Sequence, residues 1–148
     1  MKSTAYTMAL IVSLSGGAIA ASLDMTVFKT KTCGCCGKWV DHMRANGFRV
    51  TVNEVPSTAE YRKKHGVPEK LQSCHTALVS GDTIEGHVPA EAILRLLKEK
   101  SGFKGLAVPG MPMGSPGMEG PHSDAYSVVG FKPDGSAAIY QSYPAKGR

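Results

Sequence analysis

The sequence lacks an apolar run long enough for a membrane-spanning helix, which needs about 20 apolar residues. Its longest apolar stretch covers residues 8–20 and follows a single early charge at Lys2. The stretch ends in a small-x-small pattern at 18–20, which is typical of signal-peptide cleavage. We therefore predict a cleaved signal peptide over 1–20, with an uncleaved anchor as the alternative.

The sequence also lacks a basic motif of the kind that binds nucleic acid. Its 17 Lys and Arg outnumber its 12 Asp and Glu, but they are scattered and form no arginine-rich stripe with interleaved aromatic residues. We expect this charge to serve solubility. Internal repeats are missing as well, and the length of 21–148 suits one domain. We predict one domain there, with no nucleic-acid partner and no stable membrane insertion.

The order of predicted elements indicates the fold class. Alternating apolar and polar residues predict strands, and apolar residues at helical spacing predict helices. The elements in order are a strand at 25–30, a helix at 38–46, a strand at 48–55, a short helix from the capping box 57–60 to about 66, strands at 76–80 and 83–88, and a helix at 90–100. This is the order of a thioredoxin-like α/β fold, with a mixed sheet and helices on both faces.

Two further strands are predicted near the end of the chain. Residues 125–132 and 136–143 flank the sequence Pro-Asp-Gly at 133–135, which is a strong turn signal. They would add a C-terminal β-hairpin to the sheet.

Three of the four cysteines lie within four residues, as Cys33, Cys35 and Cys36. The predicted fold places them just before the first helix, whose N-terminus stabilises thiolates. Cys33 and Cys36 have the spacing of a redox CxxC pair. A third thiol would scramble such a disulfide, but it adds a ligand to a soft-metal site. A purely structural disulfide is a further alternative, although adjacent cysteines bridge only with strain.

Cys74 and His75 precede the strand predicted at 76–80, a position that faces the active-site loop in a thioredoxin-like chain. We therefore expect Cys74 to approach the cysteine motif, with His75 and His87 as neighbouring imidazoles. The alternatives are that Cys74 is a disulfide partner or a buried apolar residue, and that both histidines are hydrogen-bonded structural residues.

Three other side chains are assigned from their helix faces. Trp39 lies on the apolar side of the first helix and is predicted to be in the core. His42 and His65 lie on polar helix faces, so we predict that both are solvated.

The segment 102–121 is rich in glycine and proline and too apolar for a solvated linker. It holds three of the five methionines that follow residue 20, namely Met111, Met113 and Met118. Thioether is a soft ligand that prefers Cu(I) to zinc, magnesium or calcium. The loop therefore points to copper, although flexible apolar packing would also explain it. The cysteine spacing fits the common zinc and iron–sulfur patterns poorly.

These motifs resemble those of the CopG-type periplasmic copper proteins, a thioredoxin-like bacterial family formerly of unknown function and associated with copper-resistance genes. The resemblance rests on the motifs CGCC at 33–36, SCHTA at 73–77, EGHVPA at 85–90 and GLAVPGMPMGSPGME at 105–119. It spans essentially all of 21–148. The chain departs from the family pattern at the hairpin turn, where Asp82 and Thr83 stand where the family has an aromatic residue.

The resemblance implies a periplasmic copper-resistance protein that holds more than one Cu(I) ion in a cysteine-bridged site. The bridging ligands would be Cys33, Cys35, Cys36 and Cys74, and the further candidate ligands are His75, His87, Met111, Met113 and Met118. Interconversion of copper oxidation states and transfer of copper to an efflux or carrier protein are additional expectations. The alternative function is a thiol–disulfide oxidoreductase that uses the Cys33/Cys36 pair.

Overall fold

The computed structural model describes residues 23–99 and 101–146. The predicted signal peptide at 1–20 lies outside the described residues. The strands are β1 (Asp24–Lys29), β2 (Arg49–Glu54), β3 (His75–Val79), β4 (Asp82–Glu85), β5 (Gly105–Ala107), β6 (Tyr126–Phe131) and β7 (Ala137–Tyr143), and the helices are α1 (Gly34–Ala45), α2 (Ala59–Lys64) and α3 (Ala90–Lys98). None of the helices in the described ranges has the length and apolar character needed to cross a bilayer.

The strands form one mixed sheet in the order β2-β1-β3-β4-β5-β6-β7. The pairs β1–β2 and β4–β5 are parallel, and the other neighbours are antiparallel. The predicted mixed α/β fold is confirmed, and so is its C-terminal hairpin, formed by β6 and β7. Because β1 pairs with β3, the end of β1 lies beside the start of β3, with Lys29 opposite His75.

Strand β5 lies inside the glycine- and proline-rich segment, where the sequence predicted no strand. It is only three residues long and all three are buried, so it has no alternating pattern to detect. Gly105 is required because a β-carbon there would collide with the Thr83 carbonyl oxygen and the Phe131 ring. The strand therefore depends on contacts with β4 and β6 that its own sequence does not signal.

Helix α1 begins four residues earlier than predicted, so Cys35 and Cys36 lie in its first turn. Gly34 and Gly37 obscure this start because glycine has a low helix propensity. The helix buries Cys36, Trp39 and two later side chains at helical spacing, Val40 and Met43. The Trp39 side chain is fully buried, as predicted, and its Nε1–H donates to the Val88 carbonyl at 2.9 Å.

The prediction that His42 and His65 are solvated is wrong, because both are half-buried. The His42 Nε2 accepts the Ala90 N–H at 3.2 Å, so this imidazole joins α1 to the first turn of α3. Its burial lowers the pKa of His42. The His65 ring lies 6.5 Å from the Phe28 ring. Helix periodicity identified a polar face but did not show which neighbouring element would cover it.

Candidate metal centre

Four cysteine sulfurs meet at the N-terminus of α1. Cys33 precedes the helix, Cys35 and Cys36 lie in its first turn, and Cys74 ends the segment that leads into β3. All four Sγ atoms lie within 4.8 Å of one another. The structure thus brings Cys74 to the cysteine motif across 38 residues of sequence, as the β1–β3 pairing requires.

A disulfide joins Cys33 and Cys36, while Cys35 and Cys74 are free thiols. The Cys35 Sγ lies 3.5 Å from the Cys33 Sγ, so a free thiol sits next to the disulfide. This is the pairing that the CxxC spacing predicted. A closed disulfide removes two of the four thiolate ligands, because a metal binds the thiolate and not the disulfide sulfur. A four-thiolate site therefore requires the reduced chain.

Burial raises the pKa of the Cys74 thiol to about 12, with a further rise from the neighbouring Cys35 thiol. The hydroxyl of Ser73, 3.9 Å from the Cys74 Sγ, partly opposes this rise in pKa. Without a cation, Cys74 thus keeps its proton at neutral pH. A bound soft cation would replace that proton, so metal binding at this thiol releases H⁺.

Cys74 also belongs to a second group of candidate ligands, with His75 and His87, whose ligand atoms lie within 4.8 Å of one another. The His87 Nε2 is 2.9 Å from the Cys74 Sγ, and the His87 Nδ1 is 2.8 Å from the Pro116 carbonyl oxygen. A carbonyl only accepts, so this contact assigns the hydrogen to Nδ1 and leaves the Nε2 lone pair facing Cys74. Metal-ligating histidines commonly have their tautomer fixed in this way.

His75 is fully buried, and its Nδ1 is 3.4 Å from the Cys74 Sγ. Its burial lowers the pKa to about 3, with smaller contributions from His87 and Lys29, so the ring is neutral. Within the described part of the chain its Nε2 has no hydrogen-bond partner. Buried polar atoms are seldom left unpaired, because each one costs about 1–3 kcal/mol. A purely hydrogen-bonded structural role does not account for this ring.

The glycine- and proline-rich loop lies against the site through its backbone. Besides the Pro116 carbonyl, Gly117 contributes a close approach: a β-carbon there would lie 2.7 Å from the Cys35 carbonyl oxygen and 2.9 Å from the Trp39 nitrogen. The φ of Gly117 is 86°, which also favours glycine. The loop therefore covers the first turn of α1, and only glycine fits at this contact.

The three methionines of this loop differ in their surroundings. Met111 exposes 53% of its surface, whereas Met113 and Met118 are half-buried. The Met113 Cε lies against Gly120, where a β-carbon would collide with it. Met113 therefore packs within its own loop, and the loop contacts the site through backbone groups, among them those of Pro116 and Gly117.

A buried ion pair beside Cys74 was not singled out from the sequence. Glu85 on β4 is fully buried, and the Arg62 Nη1 on α2 lies 3.8 Å from its Oε1. Burial raises the pKa of Glu85 to about 7, against the opposing effects of the Thr76 hydroxyl, the Ser73 N–H and the Arg62 charge. The sequence did carry one signal for this pair: Glu85 is an acidic residue within the strand predicted at 83–88.

Comparison with solved structures found two matches, which are named forms 1 and 2 of "Copper resistance protein copG". Each is 45% identical to this chain with a TM-score of 0.78. The matches cover 83% and 82% of this chain, respectively, and 98% of the solved chains. Residues 71–118 match the family described as "Protein of unknown function, DUF411". A search of curated proteins gave no match. Identity at this level over nearly the full length of the solved chains shows that the chain belongs to the CopG copper resistance protein family.

Proposed function

We propose that this chain is a copper-resistance protein that binds several Cu(I) ions in a thiolate site. The observation that carries the proposal is the convergence of four cysteine sulfurs within 4.8 Å. The names of the two solved relatives support copper as the ion. Soft thiolates also favour Cu(I) over the hard divalent cations.

Charge balance favours more than one ion. Four thiolates carry four negative charges, and three of the four cysteines are half-buried while Cys36 is fully buried. If all four cysteines bind metal as thiolates, one Cu(I) would leave three of those charges uncompensated in a poorly solvated site, which is energetically costly. A cysteine that binds no ion keeps its proton, as Cys74 does without a cation. Thiolates can bridge two ions, so several Cu(I) ions can share the four sulfurs. The His87 Nε2 lone pair offers a neutral ligand beside Cys74.

Loading of the full site begins with the Cys33–Cys36 disulfide. Two molecules of a small thiol would reduce it, giving two protein thiols and one external disulfide. Each Cu(I) that then binds displaces a thiol proton. The two reduced thiols could in turn reduce Cu(II). Their oxidation to a disulfide releases two electrons and two protons, and the two electrons would reduce two Cu(II) ions to Cu(I). We propose this copper redox activity as a second property of the same site.

Anaerobic titration of the reduced protein with Cu(I), followed by elemental analysis and thiol counting, tests the proposal. We expect more than one copper ion per chain and protection of all four thiols from alkylation. Binding of a single ion with half of the thiols still freely alkylated would refute the multinuclear site.

The disulfide itself favours a second candidate function, thiol–disulfide exchange. Cys33 and Cys36 form a CxxC pair at the start of α1, where the helix dipole stabilises a thiolate. An oxidoreductase of this kind needs only these two thiols and no metal. The two functions therefore differ in what they require of Cys35, the free thiol between them.

The proposed location is the periplasm, reached through the signal peptide predicted at 1–20. A thioredoxin-like arrangement of 21–148 is part of this proposal, supported by the strand order β2-β1-β3-β4 around the cysteine motif. Copper would pass from the site to an efflux or carrier protein. The half-buried Met113 and Met118 and the exposed Met111 are proposed as secondary ligands in the loop that covers the site.

A further inference from the structure

The backbone of Ser73, the residue before Cys74, is held on both of its polar groups by the buried ion pair. The Ser73 N–H donates to the Glu85 Oε1 at 2.7 Å, and the Arg62 Nη1 donates to the Ser73 carbonyl at 3.1 Å. On the other side of Cys74 and His75, the Thr76 hydroxyl donates to the Glu85 Oε2 at 2.7 Å. The Glu85 carboxylate therefore accepts hydrogen bonds from the chain on both sides of the candidate ligands Cys74 and His75.

The opposite side of Ser73 is held by the loop that covers the site. The Ser73 hydroxyl donates to the Gly110 carbonyl at 2.5 Å, and the Gly110 N–H donates to the Gln72 carbonyl at 3.2 Å. Gly86 packs closely against Ser73, and only glycine leaves room there, because a β-carbon at this position would collide with the Ser73 side chain. The segment before Cys74 is thus fixed from two directions, by the Glu85–Arg62 pair and by the loop.

Core packing alone does not explain the ion pair. The neighbouring β4 residue Ile84 is fully buried and apolar, and an apolar side chain at position 85 would avoid the desolvation of a carboxylate. Arg62 is also imperfectly satisfied, since its buried Nε has no hydrogen-bond partner among the described residues. What the pair achieves is a fixed backbone beside Cys74, whose Sγ must stay close to the other three sulfurs and to His87.

We propose that Glu85 and Arg62 are positioning residues, which hold Cys74 in the geometry that metal binding needs. The metal part of this inference rests on the proposed copper function, whereas the positioning itself is open to a test without metal. Neither side chain is offered as a ligand. Each acts through the Ser73 backbone, and Glu85 acts also through Thr76.

The metal-free test uses the protein with its disulfide closed, in which Cys35 and Cys74 are the free thiols. Iodoacetamide labelling at pH 8, resolved by peptide mass spectrometry, gives the alkylation rate of each thiol separately. That rate reports how accessible and how ionised the thiol is. We expect Arg62→Gln to raise the Cys74 rate about tenfold relative to the Cys35 rate, because the Ser73 carbonyl loses its donor. Glu85→Gln should give a similar rise, because a neutral amide no longer forms the ion pair that holds the Arg62 guanidinium beside Ser73. Thr76→Val should give a smaller rise, since it leaves the Ser73 contacts intact.

Two controls separate positioning from general destabilisation. Glu99→Gln removes an ion pair between Arg95 and a half-exposed carboxylate just after α3. Ile93→Val loosens the core at α3 without touching the Glu85–Arg62 pair. Both should leave the ratio of Cys74 to Cys35 labelling unchanged at temperatures where thermal melting shows the chain folded. If Glu85→Gln fails to fold, Thr76→Val and Arg62→Gln carry the test.

The second measurement is Cu(I) affinity of the reduced protein, by competition with a bathocuproine-type chelator. We expect the Glu85 and Arg62 variants to release copper at a chelator concentration about tenfold lower than the parent does, a change equal to about 1.4 kcal/mol. Unchanged Cys74 labelling in folded variants would overturn the positioning role. Raised labelling with unchanged affinity would overturn its link to metal. If the parent itself bound no copper, the proposed function would fail while the labelling result would still decide the positioning.

Discussion

Cys74 is the residue on which both groups of candidate ligands depend. It lies with Cys33, Cys35 and Cys36 in one group and with His75 and His87 in the other. The first group loses two thiolates when the disulfide closes, whereas the second contains neither member of the disulfide. Replacement of Cys74 would therefore affect copper binding in either redox state, but replacement of Cys33 would affect mainly the reduced state.

Cys35 distinguishes the two candidate functions. As a metal ligand it contributes one of four thiolates, so Cys35→Ser should lower copper loading about as much as Cys33→Ser does. In a redox CxxC centre the same change is harmless and favours a clean Cys33–Cys36 disulfide. Copper loading and insulin reduction, measured on both variants and on Cys36→Ser, check this. Insulin reduction that survives Cys35→Ser but is lost in Cys36→Ser, with copper loading unaffected, would contradict the copper function.

At the scale of elements, the sequence predicted the parts that have a local signal. Alternation and turn residues identified β6 and β7, and helical spacing identified α3 and the core position of Trp39. The start of α1 was missed because glycines mask it, and β5 because three buried residues carry no period. The sequence therefore predicted helices whose apolar spacing extends over two turns and strands whose alternation extends over about five residues.

The candidate site was predictable to the extent that the strand order follows from the element order. The approach of Cys74 to the cysteine motif needs only the pairing of β1 with β3. The His87–Pro116 contact joins residues 29 positions apart and fixes a tautomer, and no local pattern signals it. The Glu85–Arg62 pair likewise depends on how α2 packs beside β4. Long-range side-chain contacts of this kind need the folded chain.

The loop 102–121 offers a test of its thioethers that spares its backbone contacts. Replacement of Met111, Met113 and Met118 by leucine keeps most of the apolar volume, and such swaps usually cost under about 1.5 kcal/mol each. Because the loop contacts the site through backbone groups of Gly110, Pro116 and Gly117, the triple variant should stay folded. We expect slower Cu(I) loading, easier loss of copper to a chelator, or lower stability of the loaded site in air.

These three properties are measured by stopped-flow loading, chelator competition and copper content after exposure to air, with circular dichroism to verify the fold. Thioethers are neutral and weak ligands, so the effects should be smaller than those of removing a thiolate. A folded triple variant that matches the parent in all three would show that the methionines serve packing alone.

At the scale of the whole molecule, the sheet and not the metal brings the ligands together. Cys33 follows β1 and Cys74 precedes β3, and these two strands pair in the middle of the sheet. His87 follows β4, which pairs with β3. Since the ligand-bearing segments are anchored by backbone ladders, the capacity for copper should depend less on folding than on whether the disulfide is open. An oxidising compartment favours the closed form.

The copper capacity of the chain should therefore change with its redox state. With the disulfide closed, the remaining candidate ligands are Cys35, Cys74 and the two imidazoles. Only the two cysteines can become thiolates, so these ligands can balance at most two positive charges. We expect the air-oxidised protein to bind about half as much Cu(I) as the reduced protein, and re-reduction with a phosphine to restore the full amount. Elemental analysis after desalting measures the copper content of both states.

The double variant Cys33→Ser/Cys36→Ser is the matched control. It lacks the same two thiolates, so its copper capacity should equal that of the oxidised parent and should not respond to the phosphine. Equal capacity in the oxidised and reduced parent would show that the disulfide pair contributes no ligands, and would leave Cys35, Cys74 and the two histidines as the candidate ligands.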